Sequence, residues 1–199
     1  MIEIERKIKL SEQDEARLTE GAELMSEKTF ADVYYDGPDF ALTTQDKWLR
    51  SRAGRWELKV AVHESLERQA DQYDEIEDEA GIRASLGLPP GDDLAADIAQ
   101  AGYAPFASPI TTRKKYRSGQ FTIDLDTVDF GDSTYTLGEI EVMAEDQSQA
   151  DDAARSIIEF AKERGVEIKP TRGKIIEYLK RFRLEHYQAL VEAGIVKDF

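Results

Sequence analysis

Residues 2–8 read Ile2-Glu3-Ile4-Glu5-Arg6-Lys7-Ile8, and apolar and charged side chains alternate along most of this stretch. Alternation with a period of two predicts a β-strand with isoleucines on one face and charged side chains on the other. Four later segments repeat the arrangement. Their second faces carry Trp48/Arg50/Arg52, Glu57/Lys59, Asp124/Asp126 and Glu139/Glu141. The sequence therefore predicts several strands that each have one apolar face and one charged face.

The predicted elements come in blocks of strands and blocks of helices. Strands are expected at 2–8, 28–36, 47–52, 55–62, 73–76, 110–117, 120–130 and 135–144, and helices at 11–23, 79–87, 92–101, 147–164 and 174–192. This order favours an α+β fold with an antiparallel sheet over a parallel doubly wound sheet. No repeat, linker or shift of composition marks a boundary, so we expect a single domain over residues 1–199.

Composition narrows the classes of function. The 199 residues include 26 Lys and Arg, 41 Asp and Glu, no Cys and two His, which gives a net charge of −15. Without cysteine there are no disulfides and no thiolate zinc sites. The acidic excess argues against a nucleic-acid partner, and heavy charge favours a monomer. No membrane span or secretory signal is expected, so we predict a cytoplasmic protein. Neither His63 nor His186 lies at a metal-ligand spacing, and both are expected to be structural or solvent-facing.

The charged strand faces allow two interpretations. In a sheet covered on one side, such a face simply meets water. If the sheet closes with these faces inward, paired carboxylates lie about 6.5–7 Å apart along a strand and can share one hard cation. Oxygen ligands without His or Cys suit Mg²⁺ or Mn²⁺ better than zinc. Arginines and lysines on the same faces would bind phosphate oxygens, so the enclosed surface has the composition of a phosphoryl-transfer site.

The charged motifs also resemble those of a known family. Glu3-Ile4-Glu5-Arg6-Lys7 matches an ExExK signature, and further landmarks follow in order: Trp48-Leu49-Arg50-Ser51-Arg52, Trp56-Glu57-Leu58-Lys59, Arg113, Asp124-Leu125-Asp126, Glu139-Ile140-Glu141 and Lys174. Through them the chain resembles the CYTH, or triphosphate tunnel metalloenzyme, family from residue 2 to about residue 190. Within that family it looks most like the animal-type thiamine triphosphatases, as seen in Tyr34-Tyr35-Asp36-Gly37-Pro38, the 124–131 block and the 178–183 block.

The resemblance implies a fold and a set of site residues. The fold would be an eight-stranded antiparallel closed β-barrel forming a tunnel, with flanking helices and a C-terminal helical segment. The activity would be Mg²⁺-dependent hydrolysis of a small-molecule triphosphate. By motif position, Mg²⁺ would be held by Glu3, Glu5, Asp124, Glu139 and Glu141, with Glu75 as an addition. The triphosphate would be bound by Lys7, Arg50, Arg52, Lys59, Arg113 and Lys174. Lys7 and Tyr34 match the pair that assists departure of the leaving group.

Trp48 bears on the choice of substrate. Its match in the thiamine triphosphatase pattern stacks on the thiazolium ring, and a cation over an indole face is a favourable pairing. The expected reaction therefore converts thiamine triphosphate to thiamine diphosphate and inorganic phosphate. Trp48 could instead only pack against a loop, which would leave an inorganic triphosphatase of the same fold. A non-catalytic phosphate-binding module is a further alternative, and nothing in the sequence favours adenine as an adenylate cyclase would require.

Overall fold

The structure, a computed structural model, describes residues 2–62 and 70–198. Within these ranges the strands are β1 Ile2–Ile8, β2 Glu23–Asp36, β3 Lys47–Arg52, β4 Arg55–Ala61, β5 Asp71–Ile76, β6 Ala104–Ala107, β7 Ile110–Ser118, β8 Phe121–Asp129 and β9 Thr134–Ala144. The α-helices are α1 Glu12–Leu18, α2 Glu79–Leu86, α3 Leu94–Gln100, α4 Ala150–Glu163, α5 Lys174–Phe182 and α6 Leu184–Glu192. Short 3₁₀ turns lie at Thr43–Gln45 and Gln147–Gln149.

Eight of these strands close into a ring. Their order is β3-β4-β5-β1-β9-β8-β7-β2, every pairing is antiparallel, and β2 pairs with β3 to complete the circle. Closure depends on β2, whose 14 residues pair with β7 along the first part and with β3 along the second. The short strand β6 adds to the end of β2. The predicted eight-stranded antiparallel ring is confirmed.

Helices cover the outer surface of the ring. α4 packs across β1 and β9, where Ile4, Ile140 and Ile157 are fully buried together. α2 and α3 cover Leu49 and Leu58, which project from β3 and β4. Because the apolar faces of the strands point toward these helices, the alternating charged faces must point into the ring. The enclosed interpretation of the charged faces is thus the correct one for this fold.

The first helix is shorter than expected, and the strand after it is longer. α1 begins after Ser11, whose side chain forms a reciprocal capping box with Asp14. The helix ends at Leu18 rather than near residue 23, and Gly21, with φ of 70°, turns the chain into β2. β2 starts at residue 23 rather than 28. The early start has no signal in the sequence, because the first side chains of β2 are mostly exposed and show no apolar alternation.

The helix expected over 174–192 is two helices. Arg183 has φ of −139° and ψ of 61°, which breaks the helix between α5 and α6. The bend allows Leu179 of α5 and Leu190 of α6 to be fully buried in one cluster with Tyr34. Helical periodicity continues across the bend, so the break has no signal in the pattern of apolar residues.

Smaller differences concern single elements. β5 begins at Asp71, two residues before the predicted start, and β6 was not predicted. β6 contains Pro105, which cannot donate a ladder hydrogen bond and is typical of an edge position. The prediction for His63 lies outside the described residues. Among the residues that are described, no helix is long and apolar enough to span a bilayer.

A buried network joins α6 to the connection between β2 and β3. His186 is 3% exposed, and its Nε2 lies 2.7 Å from the hydroxyl of Thr43. That hydroxyl donates to Asp36 Oδ2 at 2.6 Å, and Asp36 Oδ1 accepts the backbone N–H of Leu42 at 2.8 Å. The imidazole also stacks on the ring of Phe40 at 4.0 Å. His186 is therefore structural, which confirms one of the two roles expected for it.

This histidine is expected to make the fold sensitive to mild acid. Burial lowers the pKa of His186 from 6.5 to about 4, although Asp36 opposes the shift and Arg183 adds to it. The unfolded chain therefore binds this proton at a higher pH than the native chain does. The histidine's contribution to stability is complete above pH 6.5 and is lost as the pH falls toward 4, by up to roughly 3 kcal/mol.

Urea unfolding of the wild type and His186→Gln at several pH values between 7.5 and 4.5 measures this effect. The variant should lose some stability at pH 7.5, yet its free energy of unfolding should fall less steeply with acid. Parallel pH profiles for the two proteins would show that His186 does not carry the acid sensitivity.

Candidate active site

The ring encloses a cavity of about 870 Å³, which is within the range of small-molecule sites. Antiparallel register sets charged positions of neighbouring strands side by side: Glu5 faces Glu141, and Asp124 faces Glu139. Most of the residues expected at the site line this cavity. They are Glu3, Glu5, Lys7, Tyr34, Trp48, Arg50, Arg52, Lys59, Glu75, Arg113, Glu139, Glu141 and Lys174.

Five carboxylates form two adjoining clusters on β1, β8 and β9. Glu3, Glu5 and Glu141 make the first, and Asp124, Glu139 and Glu141 make the second. In each cluster one oxygen per residue lies within 4.8 Å of the others, and Glu141 belongs to both. Asp124 does not line the cavity itself, but the second cluster ties it to the cavity wall. The structure thus assembles the five predicted metal ligands from three strands into one acidic region.

Burial makes this region unfavourable for carboxylates alone. It raises the pKa of Glu5 to about 7, despite partial compensation by Lys7 and Lys59. Burial, together with the charges of Asp124 and Glu3, also raises the pKa of Glu141 well above its usual range. Like charges held this closely in a poorly hydrated space repel one another. A divalent cation between them would remove that repulsion.

Asp124 gives a more specific indication that the donor set suits a hard cation. Its side chain is fully buried, and burial raises its pKa even though Arg113 and Lys115 oppose the shift. Its Oδ2 accepts from Arg113 and Lys115, whereas Oδ1 has no hydrogen-bond partner among the described residues. Buried polar oxygens are rarely left unpaired. An all-oxygen set with a free, buried oxygen fits Mg²⁺ or a similar ion.

Arg113 bonds to two carboxylates of the second cluster. Its guanidinium donates to both oxygens of Asp126, at 2.6 and 2.7 Å, to Glu139 at 2.9 Å and to Asp124. Burial would raise the pKa of Glu139, but Arg113 and Lys7 outweigh it and hold that pKa at about 2. Glu139 therefore stays ionised at neutral pH. Asp126 shares the predicted charged face of β8, although the sequence assigned it no role.

Arg50, Arg52 and Lys174 gather around a second buried acid that the sequence did not single out. Asp32 is fully buried and accepts from Arg52 at 2.6 and 2.9 Å; Arg50 and Lys174 lie 3.6 and 3.8 Å from its Oδ2. Lys174 also lies 3.4 Å from Asp126 Oδ2. Asp32 is two residues before Tyr34 on β2, so alternation from Tyr34 could have placed it inside the ring. It orients the cations that the motifs identified.

Lys59 on β4 links Glu75 on β5 to the first carboxylate cluster. Lys59 Nζ lies 2.7 Å from Glu3 and 2.5 Å from Glu75. Burial opposes its charge, but Glu5 and Glu3 raise the pKa of Lys59 well above its usual value. Glu75 lies in neither carboxylate cluster of the described residues. Its role as a metal ligand remains a prediction.

Lys7 and Tyr34 both line the cavity, yet among the described residues no hydrogen bond joins them. Lys7 Nζ contacts Glu5 and lies 2.7 Å from Asp71. Burial opposes its charge, but Asp71, Glu5 and Tyr73 raise the pKa of Lys7 well above its usual value. Tyr34 is paired in register with Arg50 and packs near α5. A different tyrosine, Tyr73, interacts electrostatically with Lys7, and no motif in the sequence marked it.

Trp48 lies where the charged wall meets an apolar one. It is half-buried and packs against the cluster formed by α5, α6 and the residues after α6. Ile176, Ile195 and Val196 line the cavity on this side. The last two follow a left-handed turn at Gly194, where the N–H of Ile195 donates to Leu190 O at 2.9 Å. The cavity thus joins a highly charged part to a part suited to an organic ring.

Comparison with known proteins agrees with the geometry. Residues 1–170 match the family model described as the CYTH domain. The chain is similar over its full length to proteins named thiamine-triphosphatase from Homo sapiens, 35% identical, and Macaca fascicularis, 34% identical, and each alignment covers 93% of the relative. A solved protein from Pyrococcus horikoshii superposes with a TM-score of 0.63 at 20% identity, covering 90% of this chain and 99% of that one. At that identity the likeness concerns the fold.

Proposed function

Because the chain belongs to the CYTH-domain family, we propose that it is an enzyme that hydrolyses thiamine triphosphate to thiamine diphosphate and inorganic phosphate. Mg²⁺ is its proposed cofactor, with Mn²⁺ able to substitute. Full-length similarity to curated thiamine-triphosphatases supports the substrate. The observation that carries the proposal is one cavity that combines two carboxylate clusters, a set of arginines and lysines, and Trp48.

The basic residues would bind the triphosphate. Arg113 and Arg52 present planar guanidinium groups already oriented by buried aspartates, which reduces the entropy lost when they bind phosphate. Arg50, Lys59 and Lys174 border the same cavity and add point contacts. In the absence of substrate these cations are neutralised by carboxylates. A polyanion would therefore replace protein acids as their partners.

The metal would be held by Glu3, Glu5, Asp124, Glu139 and Glu141, and Glu75 is proposed as a further ligand. When bound, a divalent cation neutralises part of the phosphate charge and polarises the phosphorus–oxygen bonds. Glu139 contributes an ionised carboxylate at neutral pH, since Arg113 and Lys7 hold its pKa at about 2 against the effect of burial.

Lys7 is the proposed catalytic residue for the leaving group. Hydrolysis adds water to the terminal phosphorus and breaks its bond to the bridging oxygen, which leaves as part of thiamine diphosphate and carries the bonding electron pair. A fixed positive charge beside that oxygen stabilises the developing negative charge. Lys7 remains protonated because its acidic neighbours raise its pKa. We propose that Tyr34 assists it from the same cavity.

The substrate is tested by measuring phosphate release from thiamine triphosphate and from tripolyphosphate, with and without Mg²⁺. For Trp48→Ala we expect kcat/KM on thiamine triphosphate to fall about 10- to 30-fold, the equivalent of up to about 2 kcal/mol of cation–π contact. Tripolyphosphate hydrolysis should change little. Trp56→Leu is the matched control, because Trp56 packs on the outer surface of the ring against Tyr35.

The outcomes separate the alternatives. Equal loss on both substrates, or a wild-type preference for tripolyphosphate, would indicate an inorganic triphosphatase. Absence of metal-dependent phosphate release from either substrate would indicate a phosphate-binding module without catalysis.

We further propose a cytoplasmic monomer with one catalytic domain over residues 1–199 and no nucleic-acid partner. The net charge of −15 supports the monomer and the absence of a nucleic-acid partner, since acidic surfaces repel both one another and a phosphate backbone. Sedimentation equilibrium at physiological ionic strength should give the mass of one chain, and a dimer would contradict this proposal.

A further inference from the structure

The connection between β2 and β3 is built around a buried carboxylate. Asp36 is 4% exposed and accepts three backbone N–H groups, from Gly37 at 2.8 Å, Leu42 at 2.8 Å and Thr43 at 3.0 Å. Together with the Thr43–His186 contact, these bonds hold residues 37–45 in one conformation against α6. The connection therefore fixes the position of the start of β3 beside the cavity.

Asp46 ends this connection in an unusual backbone conformation. Its φ of 56° and ψ of 41° lie in the left-handed region, which Asp and Asn enter more readily than other residues with a Cβ. Its carbonyl accepts the N–H of Ala61 at 3.1 Å. The residue is 7% exposed and lines the cavity. This conformation places a carboxylate at the cavity wall directly before the strand that carries Trp48.

The side chain of Asp46 is bonded to Trp48. Asp46 Oδ1 accepts the indole N–H of Trp48 at 2.7 Å and the hydroxyl of Tyr73 at 3.2 Å. The first bond fixes the rotation of the indole ring. A carboxylate acceptor also strengthens the hydrogen bond and makes the π face of the indole more electron-rich. Both effects favour a cation stacked on that face over a neutral ring.

We propose that Asp46 is a specificity-determining residue that selects a triphosphate bearing a positively charged organic group over an inorganic polyphosphate. It positions Trp48, and its negative charge attracts the organic cation while it repels a bare polyanion. This inference rests on the proposed function, because thiamine triphosphate carries such a cation, the thiazolium ring. The selectivity of the site would then depend on attraction and repulsion together.

Asp46→Asn separates charge from position. Asparagine tolerates the same backbone conformation and keeps an oxygen that can accept the indole N–H, but it lacks the charge. We expect KM for thiamine triphosphate to rise about 5- to 10-fold with little change in kcat, and KM for tripolyphosphate to stay constant or fall. Asp46→Gly, which also fits the backbone conformation, should weaken the binding of thiamine triphosphate further, because the indole ring of Trp48 would lose its hydrogen bond.

Asp39→Asn is the matched control, since it removes one negative charge from an exposed position of the same connection. Titration calorimetry with thiamine diphosphate and with pyrophosphate provides a second measurement that does not depend on turnover. Only the thiamine compound should bind more weakly to Asp46→Asn.

The two proposals fail in different ways. If the wild type prefers thiamine triphosphate and Asp46→Asn keeps that preference, the inference about Asp46 is overturned and the proposed function stands. An equal rise of KM for both substrates would assign Asp46 a purely structural role. If the wild type shows no preference for thiamine triphosphate, the proposed substrate and the inference both fall.

Discussion

Replacing Glu141 by Gln is expected to lower the metal-dependent rate about 10²- to 10³-fold, the equivalent of about 3–4 kcal/mol. Glu141 is the carboxylate that the two clusters of described residues share. Its loss would therefore reduce the negative charge of both at once. Phosphate release at saturating and subsaturating Mg²⁺ measures the effect, and a higher Mg²⁺ requirement should accompany the lower rate.

The same substitution should not destabilise the protein when a chelator is present. Glu141 is buried beside Asp124 and Glu3, and burial with these two charges raises its pKa well above the usual range. An ionised Glu141 thus opposes folding near neutral pH, and a neutral Gln of similar size removes that repulsion. We expect the Tm of Glu141→Gln in chelator to equal or exceed that of the wild type.

Addition of Mg²⁺ should reverse the order of the two Tm values. The ion binds the native wild type and raises its Tm by mass action, whereas the variant should respond much less. Glu27→Gln is a suitable control, because Glu27 is an exposed glutamate on β2 outside the cavity. A Tm in chelator several degrees below the wild type would instead mean that Glu141 serves the fold, through its 3.6 Å contact with Lys115.

Replacing Lys7 by Met is expected to reduce kcat about 10²- to 10³-fold while KM changes little. The methionine keeps most of the side-chain volume and removes the charge that would stabilise the leaving oxygen. Lys7 also balances the charges of Glu5 and Asp71, so its removal leaves more negative charge beside the metal ligands and the variant should need no more Mg²⁺ than the wild type. A drop confined to KM would show that Lys7 only binds the triphosphate.

Gly173→Ala offers a milder test of the same residue. Gly173 precedes α5 with φ of −62° and ψ of 158°, which alanine adopts without strain. A Cβ there would lie 2.9 Å from Lys7 Cε and 3.3 Å from Lys7 Cδ, so the lysine would have to move. We expect kcat to fall about 10-fold with little loss of Tm.

The double variant is the control for this mechanism. If Gly173 acts by leaving room for Lys7, adding Gly173→Ala to Lys7→Met should have no further effect on kcat. Independent, multiplicative losses would assign Gly173 a role of its own.

Much of the candidate site could be predicted from residue order. Period-two alternation shows which side chains share a face, so Glu3 with Glu5 and Glu139 with Glu141 could be paired before any tertiary structure was known. The shared motifs then indicated that these faces meet in a ring. Clusters of described residues drawn from β1, β8 and β9 agree with that prediction.

Residues that act through the connection between β2 and β3 could not be predicted in this way. Asp46 lies in that connection, whereas Asp36 ends β2 and His186 lies on α6. All three act through contacts between distant segments, and no periodicity marks them. Asp32 and Asp126 do lie on strands, but an acid that orients an arginine looks the same in sequence as one that binds a metal. Tyr73 beside Lys7 depends on the register of β5 against β1, and neither strand alone specifies that register.

By itself, the sequence determined eight of the nine strands of the described residues, the charged faces that five of them carry and the antiparallel class of the fold. Strand alternation alone left open whether those faces point inward, and the tertiary structure decided it. Alternation is symmetrical, so a charged face can meet water or be enclosed. Here helices cover the apolar faces from outside, and the long strand β2 closes the ring by pairing with both β7 and β3. Closure buries the charges together, and that proximity produces the shifted pKa values and the acidic clusters.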